Sequence, residues 1–218
     1  MFFYGVGNRC AVPADFWGVR PYRSDRSEDR NHLSILDALL RKTGFRIVET
    51  SVDREARGCL GARYELRAGL DDSPPKAFDC SSLAAHVYGR IGIRIPRISI
   101  DQLFEAPGTI LAPGTYVAGD LVFTGRGGHR SDDDETRIRH VGIATGEETI
   151  IHACKKRGYV VEDDERSFFE PRTFRAVRRI LSDKRETVTI ESIDGCEIRD
   201  SHVVRRALET LRDRSALR

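Results

Sequence analysis

Residues 78–88 read FDCSSLAAHVY, and the apolar pattern of a helix begins directly after Cys80. Asp79 belongs to the residue types that cap helix N-termini, so this stretch predicts a helix whose first turn contains Cys80. Four apolar residues then recur at helical spacing on the face of the cysteine: Leu83, Ala84, Val87 and Ile91. The helix is expected to end near one of the glycines that follow, Gly89 or Gly92.

A cysteine in this position has a chemical consequence. The first backbone N–H groups of a helix lack partners within it, and together with the helix dipole they stabilise a negative charge. A thiol placed there is expected to lose its proton more easily, and the thiolate is the nucleophilic form. Cys80 is therefore the candidate nucleophile. The alternative is that Cys80 is one more small buried residue, because free cysteines are often found in protein cores.

Helical patterns fill the first half of the chain, and short strand patterns fill the second. Besides the helix at Cys80, helices are predicted at residues 31–40, 52–60 and 100–104, the last capped by Ser99. Residues 46–49 fit either a short strand or the start of a helix. Strands are predicted at residues 121–124, 140–145, 149–153, 159–161 and 174–181. Helices followed by strands with tight turns are typical of the α+β class with an antiparallel sheet.

The overall composition argues against two kinds of partner, nucleic acid and the membrane interior. The chain has 36 Lys and Arg against 34 Asp and Glu, a net charge of +2, so no nucleic-acid partner is predicted. No apolar run reaches membrane-spanning length, so no membrane insertion is predicted. The first ten residues, MFFYGVGNRC, include apolar residues but no basic region before them and no sustained apolar run, so no signal peptide is predicted, and the five cysteines form no disulfide pattern. We therefore expect a reducing, cytoplasmic location, with non-classical export left open.

A cysteine nucleophile needs a base within hydrogen-bond reach, and that base needs a third group to orient its ring. Of the six histidines, His140 and His152 each lie in a predicted strand, and the two strands are separated by a turn at Gly146. A helix that carries the thiol and a hairpin that carries two imidazoles form a workable Cys-His-His arrangement. The alternative for each histidine is a strand residue with a purely structural hydrogen bond.

The spacing of the two histidines leads to a geometric prediction. In an antiparallel pair, directly opposite residues point to the same face, and the face alternates at each step. A plain two-residue turn at residues 146–147 would place His140 and His152 on opposite faces. We therefore predict an odd-length loop or a bulge, which brings His152 opposite His140 or Gly142. The sulfur of Cys80 is then expected about 3–4 Å from a ring nitrogen of His140.

Six stretches of the chain, in order, resemble motifs of the NlpC/P60 cysteine peptidases, which cut bacterial cell-wall peptides. The first three are FDCSSL at 78–83, similar to the family's DCSGL box, IPRISIDQ at 95–102, similar to LPRxSxxQ, and GDLVF at 119–123, similar to PGDLVFF. The others are HVGIATG at 140–146, similar to HVGIYxG, IIHA at 150–153, similar to the strand of the third residue, and FRAVRRIL at 174–181, similar to the closing strand. The resemblance implies a papain-like core in which helices pack on an antiparallel sheet of about five strands.

The resemblance also implies roles for six residues. It implies Cys80 as nucleophile, His140 as general base and His152 as the residue that orients the base. It further implies binding roles for three residues, with Tyr64 lining the site near the oxyanion position and the other two helping to recognise the peptide: Tyr64, Asp79 and Ser81. The implied substrate is a peptidoglycan-derived peptide, cut between γ-D-glutamate and a diamino acid such as meso-diaminopimelate or lysine. No cofactor and no metal are implied.

The chain departs from the family pattern at two places. Ser82 stands where the family has glycine after DCS, and YELRAG at 64–69 replaces YxWGG. These departures leave the expected chemistry intact and bear on substrate preference. We predict a catalytic domain at residues 52–181, an N-terminal extension with one helix at 1–51, and a hairpin-helix appendage at 182–218 that packs on the core. The hairpin is expected around Asp194 and Gly195. The sequence makes no prediction about the oligomeric state.

Four alternatives stay open at this point. A zinc site at His140, His152 and Cys154 lacks the accompanying CxxC or HExxH frame. A calcium site in the acidic run at 132–135, within a predicted loop at 125–139, lacks the spaced ligands of an EF-hand. A related acyltransferase or lipid-modifying enzyme of the same superfamily would carry its histidine before its cysteine, and a related amidase is part of the same alternative. A non-catalytic wall-binding module would have no need to keep all three residues.

Overall fold

The computed structural model describes residues 6–13, 27–70, 75–112, 116–125, 138–181, 187–198 and 209. Within these residues the helices are α1 Ser27–Arg41, α2 Val52–Arg57, α3 Cys80–Arg90, α4 Ser99–Phe104 and α5 Glu165–Phe168. The first six strands are β1 Arg9–Pro13, β2 Phe45–Val48, β3 Arg63–Tyr64, β4 Ala77–Phe78, β5 Thr109–Leu111 and β6 Leu121–Gly125. The others are β7 Ile138–Ala144, β8 Thr149–Cys154, β9 Tyr159–Asp164, β10 Phe174–Arg179 and β11 Thr187–Ser192.

These elements belong to two compact units. The larger unit comprises Ser51–Tyr88 and Ile95–Leu181, and the smaller unit comprises Met1–Thr50, Gly89–Arg94 and Ser182–Arg218. The predicted α+β class is confirmed, since helices and a largely antiparallel sheet occur together in the larger unit. The prediction that residues 182–218 pack on the catalytic domain stays a prediction.

The larger unit is built on an eight-stranded sheet in the order β4-β3-β9-β8-β7-β6-β10-β5. Strands β3 and β4 are parallel, and the other neighbours are antiparallel. The five strands predicted from the sequence are present as β6 to β10. The sheet is larger than predicted because β3, β4 and β5 have only two or three residues, too few to show a period of two.

Helix α3 begins with reciprocal hydrogen bonds between Asp79 and Ser82. Asp79 Oδ1 accepts the Ser82 N–H at 2.8 Å, and Ser82 Oγ accepts the Asp79 N–H at 2.9 Å. This arrangement is a capping box, so the predicted cap at Asp79 is confirmed. The helix ends at Arg90, and Gly92 follows with φ of +84°, a conformation that glycine adopts without steric cost.

The prediction that Ser99 caps the next helix is wrong. Ser99 is the first residue of α4, and Ile98 holds the cap position in an extended conformation without a side-chain cap hydrogen bond. The fully buried Gln102 anchors this helix instead, because its Nε2 donates to the carbonyl oxygens of Ser81 and Pro96 at 2.8 Å. Tertiary hydrogen bonds therefore take the place of a local cap.

The smaller unit contains a three-stranded antiparallel sheet in the order β1-β11-β2. Its apolar core consists of residues from all three strands, from α1 and from the segment after β11: Cys10, Val12, Leu40, Phe45, Ile190 and Ile198. On the central strand, the buried Glu191 accepts hydrogen bonds from Arg9 and Arg46, one from each neighbouring strand. The ion pairs thus span the width of this sheet.

Several sequence predictions in the smaller unit need correction. Helix α1 begins at Ser27, earlier than the predicted start at residue 31, and no strand was predicted where β1 lies. Residues 45–48 are the strand β2. The hairpin around Asp194 and Gly195 is wrong, since residues 195–198 form no strand and β11 pairs with β1 and β2 instead. Apart from residue 209, which is helical, the predicted helix of the 182–218 appendage lies outside the described residues, as does most of the predicted loop at 125–139.

Among the helices within the described ranges, none combines the length and apolar character needed to cross a membrane.

Candidate active site

Helix α3 holds Cys80 at its first position, against strand β7. The thiol is half-buried, and a backbone N–H of Val141 on β7 is directed at its sulfur. Because Val141 directly follows His140, this contact places the start of α3 beside the strand that carries one of the two candidate histidines. The cysteine belongs to a cavity wall rather than to the centre of the core.

The expectation that the helix N-terminus makes Cys80 more acidic is not met in the resting site. Burial raises the pKa of the Cys80 thiol above its ordinary value, and the Asp79 carboxylate acts in the same direction. The backbone N–H groups of Val141, Ser81 and Cys80 lower the pKa but do not outweigh the loss of solvent. The thiol therefore needs a proton acceptor close by to become a nucleophile.

Cys80 opens onto a cavity of about 390 Å³. The start of α3, strand β3 with the residues after it, and strands β7 and β8 with the turn that follows supply the lining residues: Tyr64, Leu66, Asp79, Cys80, Ser81, Arg139, His140, Cys154 and Lys155. The cavity thus has the thiol on its helical wall and His140 on its sheet wall. All lining residues belong to the larger unit.

The register of β7 and β8 confirms the prediction about the loop between the histidines. Ile143 pairs with Ile151, and Thr145 donates its N–H to the Thr149 carbonyl at 3.0 Å, so the loop has three residues, 146–148. Continued along the strands, this register places His152 opposite Gly142, one of the two predicted positions. Both imidazoles therefore lie on the same face of the sheet.

The two imidazoles form a direct hydrogen bond. His140 Nε2 lies 2.8 Å from His152 Nδ1, and the ring planes are nearly perpendicular, at 85°. The ring of Phe168, from α5, packs on both imidazoles, with centroid distances of 5.4 Å to His140 and 4.8 Å to His152. The aromatic ring and the close pairing hold both histidines in one orientation.

A carboxylate on the neighbouring strand contacts the second imidazole. Asp163 Oδ2, on β9, lies 3.2 Å from His152 Nε2. Since a carboxylate only accepts hydrogen bonds, His152 carries its proton on Nε2, and its Nδ1 accepts from His140 Nε2–H. In neutral His140 the remaining nitrogen, Nδ1, then has a free lone pair. His140 is thus prepared to accept a proton at Nδ1.

Burial keeps both histidines neutral. Burial together with the neighbouring His152 lowers the pKa of His140 to about 3. Burial also lowers the pKa of His152, although the Asp163 carboxylate acts in the opposite direction. The resting site therefore holds a neutral thiol and a neutral imidazole on facing walls. The predicted distance of about 3–4 Å between the Cys80 sulfur and a His140 nitrogen stays a prediction.

The three implied binding residues, Tyr64, Asp79 and Ser81, all line the cavity. Burial alone would raise the pKa of Asp79, but hydrogen bonds from Arg97 and the Ser82 backbone lower it below its ordinary value. Ser81 Oγ lies 3.3 Å from Asp79 Oδ1 and 3.0 Å from an Arg97 nitrogen. Burial raises the pKa of Tyr64, as do the nearby Cys80 and Asp79, so its hydroxyl keeps its proton.

Sequence reasoning missed three residues around the site, Arg97, Asp163 and Phe168. Arg97 lies in the IPRISIDQ stretch at 95–102, whose resemblance to the family motif implies no role for it. Asp163 lies two residues beyond Val161, the last residue of the predicted strand at 159–161. A prediction that extended this strand to residue 163 would have placed Asp163 on the same face as Val161. Phe168 lies in the four-residue helix α5, which is too short to show a helical period.

A metal site is not supported by the site geometry. Within the parts of the chain that the structure describes, no group of three or more His, Cys, Asp and Glu side chains is arranged to hold a metal ion. The facing nitrogens of His140 and His152 are 2.8 Å apart, which is a hydrogen-bond distance and too short for two ligands of one zinc ion at about 2.0–2.1 Å each with tetrahedral angles. The acidic run at 132–135 lies outside the described residues.

Comparison with known proteins identifies the family. The model of the NlpC/P60 family matches residues 61–178, which is more than half of the 218 residues. The chain belongs to the NlpC/P60 family. The NlpC/P60 match extends from just before β3 to the last but one residue of β10 and contains every residue that lines the cavity. The papain-like α+β core implied by the sequence motifs is therefore the core of the larger unit.

Individual NlpC/P60 relatives resemble the chain over this region. The chain is 37% identical over 111 residues to a probable endopeptidase of Corynebacterium glutamicum, covering 51% of this chain and 43% of that protein. It is 26% identical over 129 residues to a gamma-DL-glutamyl hydrolase of Bacillus subtilis, covering 59% of this chain and 29% of that protein. The solved NlpC/p60 domain of the peptidoglycan hydrolase SagA is 28% identical, with a TM-score of 0.46, covering 59% of this chain and 95% of the domain. The chain thus spans less than half the length of these two curated relatives.

Proposed function

We propose that this protein is a cysteine peptidase that hydrolyses peptidoglycan stem peptides, with Cys80 as nucleophile, His140 as general base and His152 as the residue that orients the base. The proposed scissile bond is the amide between γ-D-glutamate and a diamino acid. The observation that carries the proposal is the hydrogen-bonded pair of neutral histidines on the wall of the cavity that also contains the Cys80 thiol.

The names of the relatives support the substrate class. One relative is named a gamma-DL-glutamyl hydrolase, and the chain is 30% identical over 118 residues to a peptidoglycan endopeptidase, RipB, of Mycobacterium tuberculosis. Both names describe hydrolysis of amide bonds. An amide hydrolase with a thiol nucleophile requires a base beside the thiol and donors for the developing oxyanion.

In the first chemical step the thiol attacks the scissile carbonyl. His140 Nδ1 accepts the proton of the Cys80 thiol, and the sulfur forms a bond to the carbonyl carbon. The charge on the carbonyl oxygen is then stabilised by the Cys80 backbone N–H at the start of α3 and by the neutral phenol O–H of Tyr64, which both donate hydrogen bonds to it. His140 next donates the proton to the leaving amine, the C–N bond breaks, and a thioester to Cys80 remains.

In the second step water hydrolyses the thioester. His140 Nδ1 accepts a proton from a water molecule, whose oxygen attacks the thioester carbonyl, and then returns that proton to the departing sulfur. His152 keeps the His140 ring in place throughout, through the hydrogen bond between Nε2 and Nδ1. The products are a peptide with a new carboxylate and an amine, and both catalytic groups return to their resting state.

The cavity also provides groups beside the thiol for binding the peptide. Ser81 and Asp79 lie on either side of Cys80 in the chain and line the same cavity. Arg97 and the Ser82 and Arg67 backbones already occupy the Asp79 oxygens. We therefore assign direct contact with the peptide to Ser81 and Tyr64 and a positioning role to Asp79.

Incubation with defined muropeptides, read by mass spectrometry, tests this proposal. The protein is expected to split L-Ala-γ-D-Glu-diaminopimelate peptides at the γ-glutamyl amide, and Cys80→Ala is expected to abolish the cleavage while its circular dichroism spectrum is unchanged. Release of intact stem peptides from the glycan would identify an amidase and contradict the proposal. Wild-type cleavage by Cys80→Ala would contradict the assignment of the nucleophile.

A further inference from the structure

We propose that Asp163, held by Arg157, is a positioning residue that fixes the tautomer of the His152–His140 pair and thereby controls how readily Cys80 gives up its proton. This inference deepens the proposed function, since it rests on His140 acting as the base for Cys80. It concerns a carboxylate on β9, outside the six residues implied by the sequence motifs. Contacts connect four side chains in sequence: Arg157, Asp163, His152 and His140.

The contacts of Asp163 give it one defined orientation. Its Oδ1 lies 2.9 Å from an Arg157 nitrogen, and its Oδ2 lies 3.2 Å from His152 Nε2. The side chains of Asp163 and His152 are only 9% and 6% exposed, whereas that of Arg157 is 46% exposed. A buried carboxylate needs hydrogen-bond donors for both oxygens. Arg157 supplies one donor and His152 the other, so the carboxylate has no freedom to turn away from the imidazole.

The register of β8 and β9 places Asp163 beside His152. Asp163 pairs with Ile150 on β8, and His152 pairs with Val161 on β9. Asp163 and His152 are therefore diagonal neighbours on one face of the sheet, at a separation that long and polar side chains can bridge. Asp164, the next residue, points the other way, is exposed, and caps α5 by accepting the Ser167 N–H at 2.8 Å.

The chemistry depends on which nitrogen of each histidine carries the proton. With the carboxylate in place, His152 donates from Nε2 and accepts at Nδ1, so His140 donates from Nε2 and keeps its Nδ1 lone pair. Without it, His152 is free to carry its proton on Nδ1, and neutral His140 would then have to accept at Nε2. In that state His140 would carry its proton on Nδ1 and would be unable to accept one there.

The carboxylate also influences the charged state of the pair. When His140 takes the thiol proton, the positive charge is shared with His152, and a negative charge close by stabilises it. The titratable and charged groups near the pair come from five places in the fold. They are Tyr64 on β3, Asp79 and Cys80 at the start of α3, Arg139 on β7, Cys154, Lys155 and Arg157 at the end of β8 and in the turn after it, and Asp163 on β9. Among them Asp163 is the carboxylate in contact with an imidazole.

Site-resolved alkylation of the whole protein tests this inference without any peptide substrate. The rate at which iodoacetamide modifies Cys80 is measured by peptide mass spectrometry from pH 5 to pH 10, with Cys196 as an exposed internal reference. Asp163→Asn and Asp163→Ala are expected to slow Cys80 modification at pH 7 by about tenfold or more and to move its pH midpoint upwards by about one unit or more, since one pKa unit is a tenfold change in thiolate. Cys196 should react as before.

Asp164→Asn is the matched control, because it makes the same chemical change one residue away and asparagine also caps helices. It is expected to leave the Cys80 rate and midpoint unchanged. A Cys80 rate in Asp163→Asn within twofold of that in Asp164→Asn, with the same midpoint, would show that Asp163 is only structural. The wild-type protein could also be alkylated at Cys80 but cleave no muropeptide, while Asp163→Asn slows the alkylation of Cys80. That result would contradict the proposed function and leave this inference standing.

A measurement on the wild-type protein covers the case in which the Asp163 variants fail to fold. Long-range nitrogen–proton NMR spectra of histidine-labelled protein at pH 7 report the tautomer of each imidazole. Both His140 and His152 are expected in the Nε2–H form. An Nδ1–H form at either histidine would overturn the inference, whatever the variants do.

Discussion

Arg97 forms a bidentate ion pair with Asp79, in which Nη1 donates to Oδ1 at 3.1 Å and Nη2 donates to Oδ2 at 2.8 Å. The same guanidinium also donates to the Ala68 carbonyl at 2.6 Å. Bidentate pairs of this kind are among the strongest hydrogen bonds in proteins. The pair ties the cap of α3 to the loop before α4, and it therefore holds the residue directly before the candidate nucleophile.

Replacing Arg97 is expected to weaken the fold around Cys80. Arg97→Gln would leave the buried Asp79 carboxylate without its cation, at a cost of about 1.5–3 kcal/mol in the free energy of unfolding. Urea unfolding at pH 7 measures this loss. Arg94→Gln is the matched control, because Arg94 is exposed in the same connection, and it should change the free energy by less than about 0.5 kcal/mol. Equal stabilities of the two variants would contradict a structural role for the pair.

The two histidines are expected to differ in importance. His140→Ala should lower kcat/KM for the muropeptide about 10²–10⁴-fold, because it removes the proposed general base. His152→Ala should cost less, since the ring it orients is still present. His86→Asn serves as control, because His86 packs against Phe78 and does not line the cavity. A smaller loss for His140→Ala than for His152→Ala would reverse the assigned roles.

Gly142 leaves space for the packing around the histidine pair. A Cβ at this position would lie 2.4 Å from the Ile150 side chain and 2.8 Å from the Phe168 ring. Gly142→Ala is therefore expected to displace Phe168 from the imidazoles and to cost about 1–3 kcal/mol in unfolding free energy, with reduced peptide cleavage. Gly58→Ala is the control, because a Cβ there meets only ordinary contacts at 3.4 Å and more. Full stability and activity of Gly142→Ala would contradict the packing described for this face.

The stability of the protein is expected to fall between pH 7 and pH 5. Burial and His152 lower the pKa of His140 to about 3, whereas an unfolded histidine has a pKa near 6.5, so the unfolded state binds more protons in this window. Stability is then present above pH 6.5 and is progressively lost as the pH falls, by up to about 2 kcal/mol at pH 5. Urea unfolding of wild type and His140→Gln measures the difference. Parallel pH profiles for the two proteins would show that His140 titrates normally in the fold.

Local patterns made much of this fold predictable. Asp79 is followed by apolar residues at helical spacing, so the cap and the helix were both visible in a dozen residues. The alternation of His140 to Thr145 and of Thr149 to Ala153 was likewise sufficient for β7 and β8. Strand parity then predicted an odd loop, because two imidazoles that act together must share a face, and the three residues 146–148 confirm it.

Other features depend on contacts that local patterns do not contain. The strands β3 and β4 have two residues each and exist only because they pair with each other and with β9. Asp163 contacts His152 because of the register between β8 and β9, for which the sequence offered no parity argument like the one for β7 and β8. The acidity of Cys80 was misjudged for a related reason. The helix dipole is a local property, whereas burial, which raises the pKa of the thiol, results from the whole surrounding fold.

Ser82, the serine in place of the family's glycine, has a consequence for how the site is assembled. Its hydroxyl and the Asp79 carboxylate satisfy each other's backbone N–H groups across three positions of the chain, so the first turn at Cys80 has hydrogen bonds of its own before the more distant Arg97 joins them. This local pair should favour the turn while the rest of the chain is still unfolded. The position of His140 and His152 has no such local support, because it depends on the assembly of several strands. In folding, we therefore expect the turn at Cys80 to form before the histidine pair.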